Sequence, residues 1–398
     1  MKHKIIKIAH ITQTLSGGMH TYFRHVLPKL VQKGFEVTLL CPTEKYKTEN
    51  KNLLDELSKK GITVINIPMK KQINPFVDLY SFSVILVKML KYKFDIVHSH
   101  CSKAGALART VAVIAGIKTT IHSSHCFAFQ RTKKPLKKLI YTYIEKFLAK
   151  ITTTFVAVSH SDAQTAIKTN IFPEKKCKII QNGLPANSAN EKKLPLTTKI
   201  MKASLGISPQ NKTITCASRL VPYKGILNLL CAAKRCKTEK ITFLIAGEGK
   251  LKKTIKQFIL KNKLSKNVNL AGQIRNMNEI YSVTDICILC SDVEAQPYVI
   301  LEAMRSHCPV IATNVPGNRE LLQNNRGALV ESDPKALAKA IDDLIANPKK
   351  QKQYAENAYR YFKRHHALEN QISKLTNLYN SYALNQSKIN AIPEKNTK

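Results

Sequence analysis

Along this chain, short apolar runs alternate with longer stretches in which apolar positions recur every three or four residues, and polar clusters separate the two. Runs of the first kind fit strands buried on both faces, and those of the second fit amphipathic helices. Their alternation predicts βα units stacked on parallel sheets. In the first half the pattern predicts strands at Lys7–Ile11, Glu36–Cys41, Thr63–Ile67, Ile96–Ser99, Lys118–His122 and Thr154–Val158. Helices follow most of them, for example Met19–Lys33 and Ser161–Thr169, and the run Phe82–Leu90, broken by Lys88, predicts a buried helix. Gln181-Asn-Gly-Leu-Pro185 then opens a polar stretch, Ala186–Thr198, with the character of a linker. The pattern restarts at Lys212–Ala217 and continues through Ile241–Ala246, Val268–Ala271, Ile286–Leu289, Val310–Thr313 and Ala328–Val330, with helices including Lys250–Asn262 and Pro334–Ala346.

A chain of 398 residues is long for one core, which agrees with this restart. The expected division is a first domain over 1–185, a second over 186–365, a C-terminal helix over 366–385 returning to the first domain, and a disordered polar tail over 386–398. The fold class is α/β, two doubly wound parallel sheets. Ligands bind such sheets at the C-terminal edges of their strands. Two of them facing one cleft predict a bipartite ligand.

Composition alters this picture mainly through charge. Hydrophobic residues make up 44% and charged residues 23%, as in ordinary globular chains. No apolar run approaches the roughly 20 residues that span a bilayer. The N-terminus, Met1-Lys-His-Lys-Ile-Ile6, lacks the apolar core and cleavage site of a secretory signal, so a cytoplasmic protein is expected. Ten cysteines are scattered, and the C-x-x-C at Cys287 and Cys290 has no second pair to complete a zinc site. They are expected to be small buried hydrophobes. Lys and Arg total 64 against 26 Asp and Glu, a net charge of +38, which favours anionic partners. One cluster, Arg131-Thr-Lys133-Lys134-Pro-Leu-Lys137-Lys138, precedes Tyr141, Tyr143, Lys146 and Phe147. It suits peripheral contact with anionic headgroups at the inner face of the plasma membrane, or a solvated helix face in a lysine-rich chain.

Candidate chemistry sits in the loops that leave the strands. Ser291-Asp-Val-Glu294-Ala-Gln296-Pro297-Tyr298-Val299-Ile300-Leu-Glu302 follows the strand ending near Leu289. Pro297 suits the first position of a helix, which leaves the amides of Tyr298, Val299 and Ile300 to an anion. Glu294 precedes that helix and Glu302 lies more than a turn inside it, so the two carboxylates address different parts of one ligand. A diphosphate on the amides, with hydroxyls bonded to a carboxylate on either side, describes a nucleotide-sugar. Ala217-Ser-Arg219-Leu-Val-Pro-Tyr-Lys224-Gly225 follows another strand, and its two cations can neutralise a departing diphosphate. In the first domain, Thr14-Leu-Ser16-Gly17-Gly18-Met-His20 joins strand to helix, and paired glycines let backbone approach a ligand closely. His98, His100, His122 and His125 follow on two βα units. They have no i, i+4 pairing and no carboxylate or cysteine set, and the cleft loops hold no D-x-D motif, so no metal is expected.

Together these segments resemble the retaining GT-B glycosyltransferases, in particular the large family-4 group (glycosyl transferases group 1), from about Ile5 to about Val330. The resemblance implies two Rossmann-like domains. Its E-x7-E element gives Glu294 the donor-sugar hydroxyls and Glu302 the nucleotide ribose, and its R-x4-K-G segment gives Arg219 and Lys224 the leaving phosphates. Gly17 and Gly18 fall on the loop that approaches the donor phosphates and reaction centre, with Gly18 making the contact. His125 falls where the family commonly has a histidine near the donor sugar. Gln296, Tyr298, Val299 and Ile300 complete the donor side. His98, His100 and His122 line the acceptor side or are structural. Gly247-Glu-Gly249 and Val315–Glu320 match family turns that are architectural, and Asn276–Tyr281 would border the base.

Two departures bear on specificity. Ala295 and Gln296 stand where the family usually has Gly and an aromatic residue, so the donor sugar's identity is not carried over. Cys126 replaces the usual Gly after the histidine, which bears on how that backbone faces the anomeric carbon. The implied function is metal-independent transfer, with retention, of a hexosyl or N-acetylhexosaminyl group. The donor is a nucleotide-sugar, UDP favoured over GDP, and no further cofactor is called for. The acceptor is a saccharide or lipid-linked saccharide in bacterial lipopolysaccharide or capsule assembly. Two other classes stay open: a GT-B relative that epimerises or hydrolyses nucleotide-sugars, for which no internal acid–base set is visible, and a basic nucleic-acid-binding protein, for which stacked aromatic motifs are missing.

Overall fold

The computed structural model describes residues 5–43, 51–70, 72–186, 195–274 and 277–390, with side chains omitted at 195–197 and 384–390. The chain forms two compact units, Met1–Asn182 with Leu368–Lys398, and Gly183–Ala367.

The first unit holds strands β1 (Lys7–Thr12), β2 (Glu36–Cys41), β3 (Thr63–Asn66), β4 (Ile96–His100), β5 (Thr119–Ser123), β6 (Thr154–Ala157) and β7 (Cys177–Ile179). They form one parallel sheet in the order β3-β2-β1-β4-β5-β6-β7. Every residue of β4 and β5 is buried, which is why these strands read as continuous runs rather than alternating ones. The edge strand β7 escapes sequence reading because three residues, Cys-Lys-Ile, carry no usable period. Right-handed crossovers put the helices after β1 and β2, Gly18–Gln32 and Lys51–Lys59, on one face. The helices Pro75–Tyr92, Ser102–Ile114 and Pro135–Lys150 lie on the other. Local signals start several of them: Asn74 accepts the Val77 amide at 3.0 Å with Pro75 next, and Ser159 accepts the Asp162 amide at 3.1 Å. The helix Leu368–Asn390 packs on Gly18–Gln32 and continues into the segment expected to be a tail; residues 391–398 lie outside the described residues.

One expectation is corrected here. Phe82–Leu90 belongs to the longer helix Pro75–Tyr92, whose buried stripe is Ser81, Ile85 and Met89. Its opposite side, with Phe76, Leu79, Tyr80, Val87 and Leu90, faces outward. Among the described residues no helix is long and apolar enough to cross a membrane.

The second unit holds β8 (Lys212–Ala217), β9 (Ile241–Ala246), β10 (Val268–Gly272), β11 (Ile286–Leu289), β12 (Val310–Thr313) and β13 (Ala328–Val330), parallel in the order β10-β9-β8-β11-β12-β13. Ile214, Phe243, Ile286 and Ile311 from four of these strands pack into one core with Leu229 and Leu337 from flanking helices. The linker expected at 186–198 falls mostly on residues 187–194, outside the described residues, and a helix begins at Pro195. Strand order reverses between β1 and β4 in the first sheet and between β8 and β11 in the second. Such switch points open a crevice at the C-terminal ends of the strands.

Candidate functional site

At the switch point of the second sheet, the loops leaving β8 and β11 meet. Gly225 has a φ of +65°, and a Cβ there would come within 2.0 Å of the Cys290 carbonyl oxygen, so only glycine lets the two loops touch. The Asp292 amide donates to the Tyr223 carbonyl at 2.9 Å and fixes the register of the contact. Two neighbouring loops press on the same pair: a Cβ at Gly247 would meet Ser218 O at 2.0 Å, and one at Gly317 would meet Glu294 O at 2.4 Å. The turns read as architectural therefore support the backbone that carries Arg219 and Glu294.

Docked this way, Lys224 Nζ donates to Glu294 Oε1 in an ion pair whose side chains are 14% and 12% exposed. Tyr223, which sequence reasoning missed, sits between the two cations. Its hydroxyl takes a hydrogen bond from the Arg219 guanidinium, and Arg219 and Lys224 stand 5.8 and 5.9 Å from its ring centre. The structure thus brings Arg219 and Lys224 together with Glu294, which lies seventy positions beyond Lys224 in the chain.

The helix after β11 spans Tyr298–Arg305, so Pro297 is its N-cap rather than its first residue. The Ile300 amide donates to Pro297 O at 3.2 Å within the first turn, which corrects its assignment as an anion donor. The Val299 amide has no hydrogen-bond acceptor among the described residues. Tyr298 and Gln296 are buried. Glu302 is half-buried, and the Tyr281 hydroxyl donates to its Oε2 at 3.4 Å and to Val299 O at 3.1 Å. Burial, reinforced by nearby thiols and Glu302, pushes the Tyr281 phenol well above its ordinary pKa, so it stays a donor. Of the segment expected to border a base, Asn276 lies outside the described residues and Tyr281 turns inward beneath the helix.

At the switch point of the first sheet, Gly17 and Gly18 are exposed, with nothing within 4 Å of a Cβ at Gly17. The loop after β5 carries His125 at φ +49° and Cys126 at φ +83°. Both lie in the left-handed region that disfavours L side chains. Cys126 occupies it in place of the glycine usual in the family, and the Arg131 guanidinium steadies the turn by donating to His125 O at 2.6 Å.

Beneath that loop lies a buried chain of imidazoles. His125 Nε2 is 3.0 Å from His100 Nδ1, and His100 Nε2 is 2.9 Å from His10 Nδ1. His10, on β1, was not singled out in the sequence; its register position beside His98 on β4 is the signal that would have found it. His98 is bonded through Nδ1 to Tyr379 Oη at 2.7 Å and through Nε2 to Ser123 Oγ at 3.0 Å, and His122 Nδ1 lies 3.0 Å from Ser99 Oγ. His98 and His122 are thus held by hydrogen bonds to residues of the same unit, and His100 holds His125. Burial lowers the pKa of His10 to about 3 and, with Arg131 adding to it, that of His125 to about 3. Burial and then neighbouring imidazoles lower His98 and His100 well below the ordinary value. All four are neutral at physiological pH. His10, His98 and His100 could offer ligand atoms within 4.8 Å of one another. Both nitrogens of His98 and of His100 are engaged in hydrogen bonds, which joins these imidazoles into one network.

Comparison with known proteins agrees with this architecture. Residues 16–187 match the family model Glycosyltransferase Family 4, and residues 197–361 match Glycosyl transferases group 1. An Escherichia coli protein, UDP-Gal:alpha-D-GlcNAc-diphosphoundecaprenol alpha-1,3-galactosyltransferase, is 30% identical over 87% of this chain and 90% of its own length. The Staphylococcus aureus capsular polysaccharide biosynthesis glycosyltransferase CapH is 25% identical over 87% and 92%. Among solved structures, Anabaena HepE in complex with UDP and glucose superposes with a TM-score of 0.80 at 18% identity, covering 94% of this chain and all of that one. A glycosyltransferase from Rickettsia africae gives 0.76 at 23% identity, covering 96% and 99%. These structural likenesses extend over both units and share the GT-B fold.

Proposed function

The chain belongs to the family-4 glycosyltransferases of the GT-B fold, and on that premise we propose that it transfers a hexosyl or N-acetylhexosaminyl group from a UDP-sugar, with retention. The proposed acceptor is a saccharide or a lipid-linked saccharide in surface polysaccharide or glycolipid assembly. The observation that carries the reading is the convergence of Arg219, Lys224 and Glu294 at one switch point. Lys224 and Glu294 neutralise each other across the loops. A nucleotide-sugar gives each its own partner, the diphosphate for Lys224 and a sugar hydroxyl for Glu294, so neither charge is left bare. A relative named for UDP-Gal and a diphosphoundecaprenol substrate, and a neighbour bound to UDP and glucose, support the donor and acceptor classes.

In the proposed mechanism Arg219, Lys224 and the Val299 amide hold the departing diphosphate, and Glu294 orients the donor sugar. Glu302 bonds the ribose, backed by Tyr281. Gly18 and His125 serve the reacting carbon. A neutral His125, held by His100, acts there as a hydrogen-bonding group and not as a cation. The acceptor hydroxyl attacks the anomeric carbon from the face the diphosphate leaves. The C–O bond to the phosphate breaks, and the acceptor proton passes to the leaving phosphate oxygen. No carboxylate nucleophile and no metal is required. The charge that develops on the diphosphate is met by the two cations.

A panel of nucleotide-sugars, scored for thermal stabilisation and slow hydrolysis, tests this. One UDP-sugar is expected to stand out, and Glu294→Ala is expected to lower turnover at least ~100-fold with little change in melting. Near-wild-type turnover in that variant would remove the assignment. Product analysis with and without acceptor separates transfer from epimerisation or hydrolysis.

A further inference from the structure

The histidines beneath the loop after β5 differ in what they impose on one another. His98 bonds two hydroxyls, Tyr379 Oη at 2.7 Å and Ser123 Oγ at 3.0 Å, and a hydroxyl donates or accepts as its partner requires. His100 bonds two imidazoles instead, His125 through Nδ1 and His10 through Nε2. A neutral imidazole has one N–H and one lone pair, so the nitrogen that donates settles what the other one does. The rings are nearly coplanar, tilted by 15° between His10 and His100 and by 23° between His100 and His125. Their centres stand 5.2 and 5.3 Å apart, so the bonds run end to end in the ring planes. His10 and His100 are fully buried, and the rings of Tyr22 and Phe23 close on His100 with centres 5.0 and 5.2 Å away.

Protons can be placed on this row in two ways that keep both bonds. If His125 donates from Nε2, His100 donates from its own Nε2, and His10 ends the row with a proton on Nε2. If His10 donates from Nδ1, His100 donates from Nδ1 in turn, and His125 accepts at Nε2 and carries its proton on Nδ1. The inner end of the row decides between them. His10 Nε2 is buried and has no hydrogen-bond partner among the described residues. Buried N–H groups without an acceptor are rarer in folded proteins than unpaired acceptors, so this nitrogen keeps a bare lone pair. We propose that His100, backed by His10, is a positioning residue that fixes His125 in its Nδ1–H form, so that His125 offers the reacting centre a hydrogen-bond donor and no base.

Burial above all keeps the three imidazoles neutral. A charged ring would carry two N–H groups and transmit no direction along the row. His125 itself is half-buried, and its Nδ1 is bonded to nothing among the described residues, so this is the nitrogen that the row leaves to a ligand. The consequence for chemistry rests on the glycosyltransferase reading. With its lone pair taken by His100, His125 does not receive the proton of the acceptor hydroxyl, and the leaving phosphate oxygen takes it. The Nδ1–H is then matched to an oxygen of the donor. The tautomer itself does not depend on that reading.

Nitrogen NMR on the protein labelled at its histidine rings reads each tautomer directly, because protonated and bare ring nitrogens resonate far apart. Signals of His10, His100 and His125 are assigned by their loss in single His→Gln variants. In the ligand-free protein near neutral pH, all three are expected to show a protonated Nδ1 and a bare Nε2. A protonated Nε2 on His125 would overturn the proposal. His100→Asp sets an acceptor-only carboxylate against His125 Nε2 and is expected to bring a proton onto that nitrogen. A bare Nε2 in the folded variant would show that His100 does not set the tautomer and would also overturn it. In the same variant kcat is expected to fall at least ~10-fold. UDP affinity is expected to stay unchanged, since Arg219, Lys224 and Glu302 lie in the other unit. Unchanged kcat beside a protonated Nε2 would overturn the donor role of His125. The nitrogen signals are read without substrate, so they decide the tautomer even where no nucleotide-sugar is turned over, and the parent protein decides it where His100→Asp does not fold.

Discussion

Gly225→Ala probes how the loop after β8 positions Lys224. The new methyl carbon would sit 2.0 Å from the Cys290 carbonyl oxygen, against an ordinary contact of 3.4 Å or more, so the loops must separate by roughly 1.4 Å. An L residue at a φ of +65° adds about 1–2 kcal/mol of backbone strain. For a unit of this size that corresponds to a fall in melting temperature of roughly 2–8 °C. The larger effect falls on chemistry, since Lys224 rides on the residue beside the clash and a displacement near 1 Å can cost about 100-fold in rate. UDP affinity by titration calorimetry and donor hydrolysis by coupled assay read this directly. The variant is expected to bind UDP weakly and turn over about 100-fold more slowly while remaining folded. Unchanged UDP affinity and turnover would refute the claim that this glycine contact sets the phosphate-binding loop.

Arg109→Met leaves Glu145 buried without a counter-charge and is expected to cost about 3–5 kcal/mol, read as a drop of roughly 10 °C in melting. Arg109→Met combined with Glu145→Leu should recover most of it, and failure of the double variant to recover would refute the electrostatic cause. Stability should fall on acidification. Unfolded histidine takes up a proton near 6.5, whereas folded His10 and His125 do so only near about 3. The unfolded chain therefore binds more protons across that window, and stability present above pH 6.5 is lost below it, by up to ~1.4 kcal/mol per pH unit for each such histidine. Urea midpoints at pH 7.5, 6.5 and 5.5 measure this, His10→Phe should flatten the slope, and a flat parent profile would refute the buried neutral state. Turnover is expected to survive EDTA; loss that manganese restores would refute metal-independent departure.

Hydrophobic period, capping residues and strand-to-helix loops are local properties, and they determined most of the architecture without help. Two doubly wound sheets were legible because β4, β5 and β9 are buried throughout and Pro or Asn marks the helix starts. Arg219, Lys224 and Glu294 were legible because each sits a few residues past a strand end. The fold then decided what local windows do not contain. His10 and His100 lie ninety positions apart and become hydrogen-bonded because β1 and β4 are neighbours at the switch point. Gly225 must be glycine because β8 and β11 adjoin, which brings Cys290 against it. The Ile300 amide is taken up by the turn geometry at Pro297, which no residue identity announces. Helix Pro75–Tyr92 shows the limit most plainly. Its sequence records that Phe76, Leu79 and Tyr80 are apolar, but whether protein covers them depends on which elements the sheet order sets beside it.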